Sequence, residues 1–190
     1  MPSETYPQLL IGSQVAGSAV TNTTPLSLLP GQAKFTMPAN FIDVVGKKFR
    51  ITAAGRISTV VTTPGTLTLA VRMGPTSAIV AAASQAFALN IVAKTNVSWT
   101  LDLILTARAI GASTSTNFMA MGRWSSEAVI GSPLPAAGGI GTHSWQASAP
   151  VVGTGFDSTV ANVVDLFATW SVNNASNTLL CEDYALESLN

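Results

Sequence analysis

Charged residues are scarce in this chain of 190 residues. They make up 9% of the sequence, and nine Lys and Arg balance nine Asp and Glu, so that the formal net charge is zero. A neutral chain without a basic arm is a poor match for a protein that neutralises phosphates, and the sequence therefore predicts no nucleic-acid partner. A surface with so little charge is weakly protected against association, which favours a protein that works in contact with other copies or partners.

Cysteine and histidine occur once each, as Cys181 and His143. A single cysteine excludes an intrachain disulfide, and one Cys with one His cannot make a structural zinc site. His143 lacks nearby partners in a pattern that would mark a catalytic triad, and Cys181 precedes two acids where a reactive thiol needs a base. The nine acids are scattered, with no spacing typical of a calcium loop or a glycosidase pair. We therefore expect no enzyme, no catalytic residue, no cofactor and no metal.

A membrane-spanning segment is also absent, although residues 73–93 carry no charge. Gly74-Pro75 interrupts this run, and Gln85 and Asn90 are costly inside hydrocarbon. We interpret the run as two short strands and a turn, with a turn or two of helix within 77–89 as the weaker alternative. The sequence therefore predicts no membrane partner.

What the sequence does contain is alternation of apolar and polar residues with a period of two, which is typical of half-buried strands. The clearest segment is 99–108, whose apolar face carries Trp99, Leu101, Leu103, Leu105 and Ala107. Segments 49–53, 67–73 and 164–170 alternate in the same way, and turn residues separate them. About eight such strands predict an all-β fold, an antiparallel β-sandwich or jelly roll, with a closed barrel as the less favoured alternative.

The chain is predicted to form a single domain with an extended beginning. We assign residues 1–40 to an N-terminal arm and first strand, because their prolines favour extended paths, and residues 41–190 to the jelly-roll domain. In the alternative interpretation, residues 9–20 simply form the first strand of the sandwich.

The longest irregular region is the segment 128–156, which has no charge and is rich in glycine and proline. Loops of this length inside a compact domain are uncommon and are usually functional. We expect Ile140 and Trp145 to be exposed in it, and this expectation favours contact with a partner over a passive insertion.

Charges on the predicted strands are interpreted as structural. Asp102 and Arg108 share one face of a strand, and we expect Arg72, Arg123 and Asp165 to point outward from other strands. Ion pairs across a sheet face, worth a few tenths of a kcal/mol each, explain them better than catalysis does.

The strand motifs, taken in their order along the chain, resemble those of a known group of proteins. The motifs are residues 66–74, 99–108 with Gly111, 119–123, 162–170 and 175–181. Over roughly residues 45–188 the chain resembles jelly-roll structural proteins of tailed bacteriophages, a group that includes capsid decoration (cement) proteins and head domains of tail fibres. Small proteins of this type resemble the tumour-necrosis-factor fold, so the resemblance implies a homotrimer.

The resemblance also implies a function and a location. It implies a non-enzymatic virion protein that decorates and stabilises the outer surface of a phage head. The implied partners are other copies of this chain and the major capsid protein. We expect the N-terminal arm to take part in binding the shell. The alternative is a receptor- or carbohydrate-binding head of a tail fibre, in which Trp124, Trp145 and Tyr184 would stack on sugars. A depolymerase or another hydrolase is the third possibility.

Overall fold

The computed structural model describes residues 6–129, 141–146 and 150–190. Over these residues the chain forms twelve β-strands, one 3-10 turn at Gly31–Ala33 and no α-helix. The strands in chain order are β1 (Gln8–Gly12), β2 (Leu26–Ser27), β3 (Phe35–Met37), β4 (Lys48–Thr59), β5 (Thr66–Met73), β6 (Ile79–Ala83), β7 (Phe87–Ala88), β8 (Lys94–Ala109), β9 (Asn117–Ser126), β10 (Gly141–Ser144), β11 (Asn162–Trp170) and β12 (Thr178–Ser188).

The strands form two antiparallel sheets packed face to face. The first, called sheet A below, has the order β1-β12-β4-β8-β9-β10. The second, sheet B, has the order β2-β11-β5-β6, with β3 also paired to β11 and β7 also paired to β5. The predicted all-β antiparallel sandwich is therefore confirmed.

The core lies between the sheets and follows the period-two pattern. All five apolar residues predicted on the inner face of 99–108 are buried, with Leu103 fully so. The inward residues of β4, β5 and β11 are buried in the same way, since successive side chains of a strand point to opposite faces. Ile104, the one apolar exception in the 99–108 pattern, points outward and is partly exposed.

The described part of the N-terminal segment lies along the edges of the sandwich. β1 pairs with β12, and Val20 forms a further antiparallel bridge with Leu179. β2 and β3 pair with β11, and between them Leu28 and Leu29 are buried in the core. Residues 8–37 therefore contribute backbone pairing to both sheets.

The uncharged run 73–93 forms strands and turns, as predicted. β5 ends at Met73, Gly74 takes a positive φ of 101°, and β6 and β7 both return to pair with β5. The helix alternative within 77–89 is wrong, because pairing with β5 satisfies these backbone groups in a sheet. Within the described ranges, no helix has the length and apolarity needed to cross a bilayer.

The irregular segment 128–156 is partly ordered into the sheets. β10 pairs with the end of β9, and Trp145 continues this contact by donating its N–H to the carbonyl of Gly122 at 2.8 Å. The expectation that Trp145 is exposed is wrong, because its side chain is buried and its backbone carbonyl accepts a hydrogen bond from the Gln85 N–H at 2.7 Å. Ile140 lies outside the described residues.

Candidate functional site

The aromatic residues expected to bind sugars lie inside the sandwich. Trp124, Trp145 and Tyr184 are each at most 1% exposed. Trp124 points inward opposite Leu101 and stacks on Phe87 with ring centroids 5.0 Å apart. Stacking on a carbohydrate requires an open ring face, so these three side chains cannot provide it. The expectation that they form a sugar platform is therefore wrong.

Asp165 lies on the outer face of sheet B opposite Arg72, as the alternation predicts, but the face is covered there. Its side chain is 1% exposed under the N-terminal segment. The Lys34 ammonium lies 2.8 Å from Asp165 Oδ2, and the Ser27 hydroxyl donates to Oδ1 at 2.7 Å. Burial raises the pKa of the Tyr184 hydroxyl, and the nearby charge of Asp165 raises it further. Asp165 therefore belongs to an internal polar cluster.

Cys181 and His143 lie on different strands and in different surroundings. Cys181 is buried on β12, and its thiol donates to the carbonyl of Asp183 at 3.2 Å. Burial, followed by the charge of Asp183, raises the pKa of this thiol to about 12, so that it stays protonated at neutral pH. His143 lies on the edge strand β10 with its ring 6.0 Å from that of Phe87. Within the described ranges, no three His, Cys, Asp or Glu residues are grouped closely enough to hold a metal ion.

These environments predict that neither residue supports chemistry. We expect Cys181→Ser and His143→Ala to leave self-association unchanged, because Ser keeps the bond to Asp183 and His143 lies at a sheet edge. We also expect the thiol of the folded protein to resist an aromatic disulfide reagent at pH 8 and to react fully in denaturant. Labelling stoichiometry measures this. Rapid labelling of the folded chain would contradict the assignment.

The outer face of sheet A is broad and mixes short side chains with long charged and apolar ones. Its outward residues form rows across neighbouring strands, because the pairing places them opposite one another. One row runs Glu187, Arg50, Ile104, Met121, and the next runs Ala185, Thr52, Asp102, Arg123. A shallow depression of about 310 Å³ lies where the two rows meet on β8 and β9. This face combines exposed apolar side chains with charges.

The predicted cross-strand ion pairs exist, but with different partners. Asp102 accepts two hydrogen bonds from Arg50, at 2.9 Å from Nε and 3.1 Å from Nη2, and it does not pair with Arg108. These bonds hold the pKa of Asp102 below its usual value. Sequence analysis missed Arg50 because an ion pair across strands depends on which strand is the neighbour. The only signal was that Arg50 lies on the polar face of a predicted strand.

The outer face of sheet B is more apolar. Arg72 and the covered Asp165 are the charged residues of β5, β6 and β11. The Arg72 guanidinium lies over the ring of Phe167, 4.3 Å from its centroid, on a half-buried face. The other outward, half-buried residues of β5 and β11 are Thr66, Thr68, Ala70, Val163 and Thr169. Sheet B therefore presents a face with little charge.

One end of the sandwich exposes aliphatic side chains. Val61, Ile91 and Val92 are each about 60% exposed, and the loops that carry them are joined by a bond of 2.7 Å from the Thr62 N–H to the Ile91 carbonyl. A depression of about 450 Å³ lies beside Val61, between the ends of β4, β8 and β12. Exposed aliphatic groups held together in this way are typical of contact surfaces.

Comparisons of the chain with protein-family models, with curated proteins and with solved structures found no match. The functional argument therefore depends on the surfaces described above.

Proposed function

We propose that this chain is a non-enzymatic structural protein of a phage particle, a capsid decoration protein that binds the outer surface of the head as a homotrimer. The exposed apolar side chains on the outer face of sheet A and the low charge of the outer face of sheet B carry this proposal. A protein that holds a shell together needs large contacts that exclude water. Short side chains in paired rows allow a second surface to approach closely along whole strands.

We further propose that the sandwich is a jelly roll. Four antiparallel pairs support this assignment: β1 with β12, β2 with β11, β4 with β8, and β5 with β6. These pairs succeed one another along a single ribbon, which rolls up so that β12 also meets β4 and β11 also meets β5. An eight-stranded ribbon rolled in this way is a jelly roll, a common architecture in viral capsid domains. The remaining strands β3, β7, β9 and β10 flank it.

The aliphatic end of the sandwich supports the proposed contact with a shell. In a ring of copies with strands roughly parallel to the axis, one end of every sandwich points in the same direction. The exposed Val61, Ile91 and Val92 then lie together on one side of the ring. A repeated apolar surface of this kind suits a shell whose own surface repeats with matching symmetry.

Counting copies on particles tests the proposal. Quantitative mass spectrometry of purified particles, with labelled peptides of this chain as standards, gives the copy number, and immunogold electron microscopy gives the position. We expect hundreds of copies on the head. A few copies at the tail would instead support the tail-fibre alternative, and absence from particles would reject both.

A further inference from the structure

The charges on the outer face of sheet A are separated by sign. On this face β12 carries three acids and no base: Glu182, Asp183 and Glu187. The outward positions of β4, β8 and β9 carry one acid, Asp102, and five bases: Lys48, Arg50, Arg56, Arg108 and Arg123. The face is therefore acidic along β12 and basic over β4, β8 and β9, with three of the five bases on β4, the strand next to β12.

Ion pairs inside the chain leave this separation in place. Arg50 bonds to Asp102, and Arg56 bonds to Glu182 at 2.8 Å. Within the described part of the chain, the remaining charges of the face form no ion pair: Lys48, Arg108, Arg123, Asp183 and Glu187. β12 and β9 lie three strand spacings apart, about 14 Å. This distance exceeds the screening length of about 8 Å at physiological salt, so Arg123 on β9 is screened from the acids of β12, whereas Glu187 lies opposite Arg50 on the neighbouring strand β4.

The surface between the charged residues allows a second molecule to approach closely. The rows joining the two sides carry short residues such as Thr52, Ala54 and Thr100. Ile104 and Met121 lie side by side and are 37% and 54% exposed. From the strand spacing and rise, four strands over ten residues cover roughly 600 Å². A stable interface takes about 800 Å² per partner, so this face supplies most of one.

We propose that the outer face of sheet A binds a second copy of this chain, with the acidic β12 side of one copy against the basic β8–β9 side of the next. A copy of the same chain is the occupant because it supplies both signs of charge at the matching separation. When the face meets itself about a two-fold axis, the acidic side of each copy lies on the basic side of the other, so that one contact buries the whole face. This inference rests on the self-association in the proposed function and names its surface.

Charge reversal on the full chain tests the surface. The basic-side variant is R108E/R123E and the acidic-side variant is D183K/E187K. Each places like charges across the contact, and we expect at least about tenfold weaker association in sedimentation at physiological salt. A chain with all four substitutions restores opposite charges at every contact, and we expect it to associate within about threefold of the unmodified protein. Failure of the four-fold variant to recover association would overturn the proposal.

Two controls separate this effect from folding and from net charge. D43K/D157K makes the same charge change as D183K/E187K, but on loops away from this face, and we expect unchanged association. Thr100→Trp adds bulk at an exposed position in the middle of the face without changing charge, and we expect weaker association with an unchanged melting temperature. If Thr100→Trp associates normally, the face is not the contact.

The mass of the assembly tests the trimer separately. If the assembly is a dimer whose association changes with the charge reversals as expected, the result supports this surface and rejects the proposed trimer. If the assembly is a trimer and none of the substitutions weakens it, the result supports the trimer and rejects this surface. A chain that stays monomeric at high concentration would reject both.

Discussion

Leu103→Asp is expected to leave the protein unfolded at room temperature. Leu103 is fully buried at the centre of β8, the longest strand, where it faces the opposing sheet. Loss of the leucine contacts costs about 2–5 kcal/mol, and an unpaired buried carboxylate adds several more. Together these costs approach the whole stability of an ordinary domain, about 5–15 kcal/mol. Far-ultraviolet circular dichroism and urea denaturation measure the loss.

Ser98→Asp is the matched control for this substitution. Ser98 lies on the same strand, but it is exposed and faces Arg56 across the pair with β4. The new carboxylate stays in water beside a base, so we expect a change in the free energy of unfolding within about 0.5 kcal/mol. If Leu103→Asp were as stable as Ser98→Asp, the inner face of β8 would not be the core.

Lys34→Ala is expected to lower the free energy of unfolding by about 2–3 kcal/mol. The substitution removes the ammonium from the Asp165 carboxylate, which is 1% exposed in the unmodified protein, and leaves it the hydrogen bond from the Ser27 hydroxyl. Removing one partner of a buried ion pair costs about 3–5 kcal/mol, because the other charge remains buried without compensation. Lys34 itself is 31% exposed, so water reaches this position and we expect a loss at or slightly below the lower end of that range.

Two further variants show whether the buried charge is the cause. Lys47→Ala breaks the pair with Asp43 at 3.0 Å, whose carboxylate is 66% exposed, and we expect a loss below about 1 kcal/mol. The double variant K34M/D165L removes both charges, and we expect it to recover most of the stability lost in Lys34→Ala. Urea denaturation of all three variants measures these differences. Equal losses for Lys34→Ala and Lys47→Ala would contradict a buried charge at Asp165.

The turn residues and the alternation of side chains were enough to predict the central strands β4, β5, β8 and β11. Each strand of a pleated sheet points alternate residues to opposite faces, so the buried set on β8 follows from local order alone. The break at Gly74 follows likewise, because a positive φ is accessible to glycine without strain. None of these conclusions requires knowledge of which strands are neighbours.

Whether the candidate site residues are buried or exposed depended on tertiary structure. A bulge on β12 between Cys181 and Asp183 shifts the alternation by one residue and turns Tyr184 inward. Trp145 is buried because β10 returns to β9. Both events depend on contacts with segments distant in sequence.

The amino-acid sequence by itself therefore determined the class of fold, the strands of the core and the scarcity of charge. The tertiary structure decided which charges meet. Asp102 bonds to Arg50 because β4 is the neighbour of β8, and Asp165 is buried because the N-terminal segment crosses it. Alternation is a property of one strand, whereas pairing joins residues far apart in the chain, and only the folded sheets bring those residues together.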